Sequence, residues 1–183
     1  MTDDARETTL TEEAFEEAFR RLYAERPLRK ISVAEVAELA GYNRGTFYLH
    51  YESLEDLLRR IEDGLLAELH AVVDDSMARL EAGGDPEGIM GDVLAFYERR
   101  GARLKVLMGP KADGHFTEEV KRMLKPLWAK YVLKRDVSDG STDFLLEFTL
   151  SGALVMPRRW MENPKGVSAE EMLHIIYHKA MGR

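Results

Sequence analysis

Residues 31–58 decide the fold, and they read ISVAEVAELAGYNRGTFYLHYESLEDLL. Ser32 followed three residues later by Glu35 is the capping-box spacing that opens an α-helix. Gly41 can take the left-handed conformation that ends a helix, and Asn43 is a favourable cap for the next one. The stretch therefore predicts two short helices joined by a glycine turn, which is the layout of a helix-turn-helix unit.

The second short helix is predicted to have an inner and an outer face. Phe47 and Tyr51 lie four residues apart and should point inward together. Val33, Val36 and Leu39 of the preceding helix are predicted to complete that inner face. Hydrogen-bonding side chains remain on or near the outer face: Asn43, Arg44, Thr46, Tyr48 and His50. Side chains placed in this way at the start of a helix reach base edges and phosphates in a major groove of DNA.

The chemistry of the outer side chains indicates what each would contact. Arg44 matches the O6 and N7 acceptors of guanine. Thr46, Tyr48 and His50 suit phosphates or a thymine methyl group. Ser32 begins a helix, where unpaired backbone N–H groups attract a phosphate. As an isolated pair, Tyr48 and His50 would more often complete a core, but the surrounding helix-turn-helix pattern favours DNA contact.

The remaining sequence shows apolar residues at intervals of three and four, which indicates helices throughout. No run of alternating β-branched residues is long enough for a sheet, so the predicted class is all-α. The first helix is predicted to start near Thr11 and to stop at Pro27. Gly101 is predicted to separate a fifth helix from a short sixth. Pro126 and Pro157 interrupt helical patterns, so kinks or breaks are expected there.

About nine helices are expected in two domains. Residues 1–52 are predicted to form a three-helix, helix-turn-helix DNA-binding domain. A long helix then leads into residues 53–183, which are predicted to form a helical bundle for effector binding and dimerisation.

Composition limits the ways in which this chain could bind nucleic acid. The 183 residues carry a net charge of −7, which argues against binding through bulk charge. Residues 26–51 nevertheless hold four basic and two acidic residues, so contact would come from a small patch. There is no cysteine, no secretory signal and no apolar run long enough for a membrane span. We expect a cytoplasmic protein with no membrane partner.

The stretch from about Leu10 to Leu58 resembles the DNA-binding domain of the TetR/AcrR family of bacterial transcriptional regulators. The resemblance rests on the capping serine, the turn glycine, the run RGTFYLHY and the SLEDLL start of the fourth helix. It implies nine helices and a homodimer on a pseudo-palindromic DNA operator. It also implies DNA contacts by Ser32, Asn43, Arg44, Thr46, Tyr48 and His50.

Two residues depart from the pattern of that family. Leu54 stands where the family often has a lysine that contacts phosphate, so one charge contact per subunit is expected to be lost. Tyr42 replaces the usual small aliphatic residue of the turn, and we predict that it adds a DNA contact of its own.

Two later segments show a weaker resemblance to one ligand-domain subclass of the same family. They are VLMGPKADGHFTEEVKRML (106–124) and SGALVMPRRWMENPKGVSAEEMLHIIYHKAM (151–181). The subclass includes activators as well as repressors, and some members act with coregulator proteins. The resemblance implies a cavity for a small-molecule effector among these helices. Aromatic and methionine residues at helical spacing are, however, more often plain core. The candidate lining residues are Phe96, Tyr97, Arg103, Met108, Met123, Trp128, Tyr131 and Phe148, with His115 and Trp160 as further candidates.

The last two helices are expected to pair with the same helices of a second copy, or else to serve only as core. The candidate interface residues are Phe148, Gly152, Val155, Ile175 and Ile176. The predicted function is a ligand-responsive repressor that acts as a homodimer on double-stranded DNA. The alternative is a transcriptional activator, or a regulator that docks a coregulator protein without a small-molecule ligand.

Neither catalysis nor a metal site is predicted. The sequence has no G-x-S-x-G elbow, phosphate-cradling glycine loop, H-E-x-x-H run or cysteine nucleophile. His174 and His178 lie four residues apart, with Glu170 and Glu171 one turn earlier, and such spacing can hold a metal. Solvated histidines on an amphipathic helix are much commoner, so we predict no metal and no cofactor.

Overall fold

The computed structural model describes residues 3–84, 86–133 and 140–180, and the regular elements within these ranges are all helical. They include eight α-helices: α1 (Asp3–Glu25), α2 (Val33–Ala40), α3 (Arg44–His50), α4 (Leu54–Glu81), α5 (Pro86–Leu107), α6 (His115–Leu127), α7 (Gly140–Glu162) and α8 (Ala169–Ala180). A 3-10 turn covers Leu28–Lys30, and a π-helical segment covers Trp128–Leu133. The all-α prediction is confirmed. None of these helices is long and apolar enough to cross a membrane.

The predicted separation of a fifth and a sixth helix at Gly101 is wrong, because α5 runs through this glycine without interruption. A glycine inside a helix costs only about 1 kcal/mol relative to alanine. Phe96, Leu104 and Leu107 of the same helix are buried, and their packing offsets that cost. The merged helix accounts for eight α-helices in the described ranges instead of nine.

The first helix starts earlier than the predicted cap. α1 begins at Asp3, so Thr11 lies inside the helix. Thr11 is buried there, and its hydroxyl donates to the hydroxyl oxygen of Tyr42 at 3.3 Å. The predicted stop is confirmed, because α1 ends at Glu25, two residues before Pro27.

The two interior prolines have different consequences. Pro126 lies in the last turn of α6, and the chain continues from Trp128 with π-helical hydrogen bonding. Proline lacks an N–H group and clashes with the carbonyl four residues earlier, which accounts for a change of hydrogen-bond pattern here. α7 contains Pro157 and runs on to Glu162, so the helix is not ended there.

The chain divides into two compact units, which we call the head and the body. The head consists of Met1–Leu65 with Gly109–Asp113, and the body consists of Leu66–Met108 with Gly114–Arg183. The predicted limits, 1–52 and 53–183, follow the end of α3 instead. The head therefore takes in the first part of α4 and a loop from much later in the chain.

An aromatic cluster forms the core of the head. Phe15 of α1 meets Phe47 of α3 edge-to-face at a centroid distance of 5.4 Å, and it meets Tyr51 at 6.1 Å. Phe19 stacks on Tyr23 at 5.2 Å, and all five rings are buried. Aromatic pairs of this kind add about 0.5–1.5 kcal/mol each beyond the burial of their area. They hold α3 against α1.

The core of the body joins α6, the π-helical segment and α7. Ala129, Leu146 and Leu150 are buried together, with Trp128 packed against them. The indole N–H of Trp128 donates to the hydroxyl of Thr149 at 3.0 Å. The indole polar group is thereby satisfied within the same core.

Local caps fix both sides of the turn between α2 and α3, as predicted. The hydroxyl oxygen of Ser32 accepts from the Glu35 N–H at 3.3 Å, and the Glu35 carboxylate accepts from the Ser32 N–H at 2.9 Å. Gly41 ends α2 with a φ of 81°. The Asn43 side-chain oxygen accepts from the Thr46 N–H at 2.9 Å and caps α3.

Leu39 does not belong to the inner face of α2, and that prediction is wrong. Its side chain is 47% exposed, whereas Val36 and Ala37 are buried. At 100° per residue, Leu39 lies about 110° around the helix from the midpoint of those two residues. It is therefore left at the rim of the contact.

Gly41 and Gly64 give opposite expectations for alanine. Gly41→Ala puts a Cβ on a left-handed backbone, so we expect the free energy of unfolding to fall by about 1 kcal/mol. Gly64 lies within α4, and Gly64→Ala should raise it by up to about 1 kcal/mol. An added Cβ has no neighbour within 4 Å at either position, so packing does not confuse the comparison. Urea denaturation followed by circular dichroism measures both changes, and equal signs would contradict backbone strain at Gly41.

Glu35 gives a pH dependence of stability. Hydrogen bonds from Ser32 and from the Arg26 guanidinium, at 2.8 Å, hold the pKa of Glu35 below its ordinary value. The stabilisation is therefore present above about pH 4.5, the ordinary pKa, and is lost as pH falls through the lowered pKa of the folded state. In urea denaturation, we expect the advantage of the wild type over Glu35→Gln to shrink as pH is lowered below about 4.5. A constant advantage from neutral to acid pH would contradict this.

Candidate nucleic-acid interface

α3 presents an uncovered outer surface. The Tyr48 side chain is 59% exposed and that of Leu49 is 84% exposed, while Phe47 between α3 and α1 is fully buried. Arg44 is exposed in the first turn and forms no ion pair within the described part of the chain. Thr46 is half-buried. Sequence reasoning missed Leu49 as an outer residue. The signal that could have found it is its position, directly after Tyr48 and two residues after the inward Phe47.

Asn43 and Gly45 shape the first turn of α3. Because the side-chain oxygen of Asn43 is engaged as the cap, only its amide NH₂ remains for another partner. A Cβ at Gly45 would lie 3.0 Å from that oxygen, closer than Cβ contacts normally come. Gly45 therefore keeps room for the cap. The sequence signal for this role is a glycine two residues after a capping asparagine.

Tyr42 and His50 turn toward α1. The His50 side chain is only 14% exposed, and its Nδ1 lies 3.4 Å from the Glu12 carboxylate. The ring of Tyr42 lies 5.3 Å from that of Phe15, and its hydroxyl accepts from Thr11. His50 is thus less accessible than its predicted outer position implies. The contact with Glu12, which is distant in sequence, is the physical reason.

Ser32 is exposed at the N-terminus of α2, but its hydroxyl is already engaged. It donates to the Glu35 carboxylate at 2.7 Å, in addition to accepting from the backbone. A phosphate would have to replace Glu35 as the acceptor of this hydroxyl proton.

Leu54 belongs to the core of the head. It is the first residue of α4, and its side chain is buried. The position that was expected to face phosphate in the resembling family is therefore filled by an apolar side chain that packs inward. The side chain at this position therefore contributes apolar packing to the head in place of a positive charge.

The basic patch is smaller than the sequence indicates, because Arg26 is paired with Glu35. Arg29 and Lys30 are exposed on the 3-10 turn that precedes Ser32. Together with Arg44 they form the set of exposed cations flanking the two helix N-termini. We call Arg29, Lys30 and Arg44 the basic set.

The candidate effector residues in the body have different environments. Phe96 and Met108 are buried, and burial raises the pKa of the Tyr97 hydroxyl. Phe148 is 79% exposed, which contradicts its prediction as a lining residue of a closed cavity. Tyr131 turns to the end of α4, where its hydroxyl donates to Glu81 at 2.8 Å. The other candidates are half-buried: Arg103, His115, Met123, Trp128 and Trp160. Sequence reasoning missed Phe116, which is fully buried on α6.

The candidate interface residues line an outward surface of the body. Phe148 and Val155 of α7 and Ile175 of α8 are exposed, and Gly152 is exposed between the first two. Phe144, one turn before Phe148, is 80% exposed and was missed. Ile176 is half-buried. We call the exposed Phe144, Phe148, Gly152 and Val155 the α7 apolar stripe.

His174 and His178 lie close together on α8, with ring centroids 4.0 Å apart. Within the described ranges, no group of three or more histidine, cysteine, aspartate or glutamate side chains is arranged to hold a metal ion. The pair therefore lacks a described third ligand.

Two family models match the chain. "Bacterial regulatory proteins, tetR family" matches residues 17–61, and "Transcriptional regulator C-terminal region" matches residues 84–182. The first match spans the turn, α3 and the start of α4, where the exposed side chains lie. No curated protein matches the sequence.

Solved structures share the fold at low sequence identity. A TetR transcriptional regulator from Streptococcus agalactiae 2603V is 23% identical, with a TM-score of 0.69 over 98% of this chain and 99% of that one. The dihydroxyacetone kinase operon activator DhaS is 19% identical, with a TM-score of 0.51 and 94% of each chain covered. The Thermus thermophilus repressor FadR, solved with lauroyl-CoA, is 18% identical, with a TM-score of 0.51 and 93% of each chain covered. From the family models and these likenesses together, the chain belongs to the TetR family of DNA-binding bacterial transcriptional regulators.

Proposed function

We propose that the chain is a ligand-responsive repressor that binds a pseudo-palindromic operator as a homodimer. The observation that carries the proposal is that α3 has one buried face and one exposed face. Its inner residues, Phe47 and Tyr51 at its end, are buried against Phe15, while Arg44, Tyr48 and Leu49 face outward. A short helix that packs on α1 through its inner face and exposes its outer face is suited to entering a major groove.

The proposed DNA contacts follow from what each outer side chain has left to offer. Arg44 supplies a fork of donors for guanine O6 and N7, and Tyr48 supplies a hydroxyl for phosphate. Leu49 supplies an apolar surface for a thymine methyl group. Asn43 contributes its free amide NH₂, and Thr46 adds a hydroxyl at the same end of α3.

Tyr42, His50 and Ser32 support this surface in another way. Each is already bonded inside the head, to Thr11, Glu12 and Glu35 respectively. Their proposed part is therefore to fix the angle and cap of the reading helices. A direct DNA contact through the Ser32 hydroxyl proton would require its bond to Glu35 to be exchanged.

The α7 apolar stripe supports a homodimer. Its members are spaced four, four and three residues apart, which keeps them on one side of a helix. Two phenyl rings exposed to about 80% each are unusual on a surface that contacts only water. A two-fold partner would cover each stripe with its own copy, together with Ile175 of α8, in a self-complementary interface. On a pseudo-palindromic operator, the two copies of α3 would lie in successive major grooves, roughly 34 Å apart.

The proposed effector site lies in the body, around the buried Phe96 and Met108 and the half-buried Tyr97. The Tyr97 hydroxyl forms no hydrogen bond within the described residues, so it is suited to orient a polar group of a ligand. The structure of FadR with lauroyl-CoA is one instance in this fold of a repressor with a bound small molecule. An effector would act by binding one of two conformations more tightly than the other.

The exposed α7 apolar stripe also favours a second candidate function. DhaS, which shares the fold, is described as an operon activator. In this alternative the stripe docks a coregulator protein instead of a second copy, and no small-molecule ligand is needed.

Arg44→Ala is expected to weaken operator binding at least about fivefold for each half-site, because one bidentate guanine contact is worth about 1–3 kcal/mol. Fluorescence anisotropy with duplex fragments from beside the gene itself, over a salt series, measures this loss. The wild type should bind one fragment with a Kd of about 10⁻⁸ M or tighter near physiological salt. Tyr48→Ala should also lose this binding.

Arg21→Ala is the matched control for Arg44→Ala. It removes the same charge from an exposed position on α1, where Arg21 pairs only with Glu17 at 2.9 Å in the described structure. This variant should keep full affinity. Weak binding that is equal on every fragment, and unchanged by Arg44→Ala and Tyr48→Ala, would refute sequence reading by α3.

Phe148→Glu is expected to convert a dimer into monomers, because a two-fold interface would bury the new carboxylate twice. Sedimentation velocity over a concentration series measures the change. Helicity should be unaffected, since the side chain is 79% exposed in the single chain. Arg122→Glu adds a carboxylate at an exposed position of α6 and serves as the control. Unchanged self-association in Phe148→Glu would favour the coregulator alternative.

A further inference from the structure

Two histidines of α8 hold their imidazole rings side by side. His174 and His178 are four residues apart, which places them one turn apart on the same side of the helix. Their ring centroids are 4.0 Å apart. Two nitrogen atoms that bind one zinc ion each lie about 2.0–2.1 Å from it, and therefore no more than about 4.2 Å from each other. The two rings are close enough for both to bind one ion.

The histidine pair lies on the outer side of α8. Met172 and Leu173 of this helix are buried, whereas His174 is exposed and His178 is half-buried. At 100° per residue, the midpoint of the two histidines lies about 170° around the helix from the midpoint of Met172 and Leu173. An ion can therefore reach the imidazoles from solvent, and water can complete its coordination.

The other three of the five histidines have different surroundings. His50 lies 3.4 Å from Glu12 and His115 lies 3.6 Å from Glu119, so each has a carboxylate close by. His70 is exposed on α4. Carboxylates suit magnesium, calcium and manganese, whereas imidazoles suit zinc, copper and nickel. The adjacent imidazoles of α8 therefore favour the second group of ions.

We propose that His174 and His178 form a site for an exchangeable transition-metal ion of the zinc, nickel and copper class. The sequence-based prediction of no metal treated the two rings as solvated independently, and their proximity is what favours a shared ion. Structural zinc sites have four protein ligands, so two imidazoles with water suit an ion that binds reversibly.

A bound ion would brace α8 from outside. It would link two successive turns of this helix and stabilise it, because the ion binds only the folded arrangement of the two rings. α8 packs against α5 and α7 in the body. The site lies within one helix and needs neither DNA nor a second copy, so it does not rest on the proposed function.

Isothermal titration calorimetry of the full chain, with any affinity tag removed, measures the binding of Ni²⁺. The wild type should bind one ion per chain, and Mn²⁺ should bind much more weakly. His174→Gln and His178→Gln should each weaken Ni²⁺ binding at least about tenfold, because two ligands on one helix act at high effective concentration. His70→Gln removes a single exposed imidazole from α4 and is the matched control, which should bind like the wild type.

Pulsed electron paramagnetic resonance of the Cu²⁺-loaded chain counts the imidazoles on the ion, and we expect two in the wild type and one in His174→Gln. Because His174 is exposed, this variant should keep its helicity, which circular dichroism checks. Equal Ni²⁺ affinity in the wild type and His174→Gln, or an equal loss in His70→Gln, would overturn the proposal. One ion per two chains would mean that two copies share the ligands, and this would also overturn the assignment of the site to a single helix.

Discussion

The edge-to-face contact between Phe15 and Phe47 is the interaction on which the proposed DNA-reading surface depends. α3 has seven residues, and isolated helices shorter than about 12–15 residues are marginal in water. Its caps supply only local bonds, so its position comes from Phe47 and Tyr51 packing on α1. The ring of the exposed Tyr48 lies edge-on to that of the buried Phe47, at a centroid distance of 5.5 Å. The orientation of the exposed side chains is thus inherited from the buried ones.

The parts of the fold that sequence reasoning predicted well are those fixed by neighbours within four residues. The capping box of Ser32, the left-handed Gly41 and the cap at Asn43 each depend on one or two adjacent residues, so their spacing carries the information. The parts that it missed depend on partners far along the chain. His50 turns toward Glu12, and Tyr23 meets Asp113 across 90 positions. No local spacing could reveal either contact.

Helix continuity shows the same distinction. Gly101 is a poor helix residue by propensity, and a break was the reasonable local expectation. The buried side chains of α5 on both sides of it outweigh a cost of about 1 kcal/mol. In the body, too, the surroundings of a side chain depend on residues far along the chain. The residue types of Phe148 and Phe96 are identical, and only the folded chain separates an exposed ring from a buried one.

The electrostatics of the head bear on how it would distinguish its operator from other DNA. Acidic side chains neutralise many of its cations, since Glu17 pairs with Arg20 and Arg21, and Glu35 pairs with Arg26. The basic set is small, and each phosphate contact that a protein lacks reduces its non-specific affinity and the salt dependence of binding. The expected surface lacks one further cation, because position 54 is a buried leucine and not the lysine expected from the family resemblance. A head of this kind would gain little from the phosphate backbone alone. Its affinity would have to come from base contacts by α3. A second copy would add the same contacts at the second half-site, where it binds at high effective concentration.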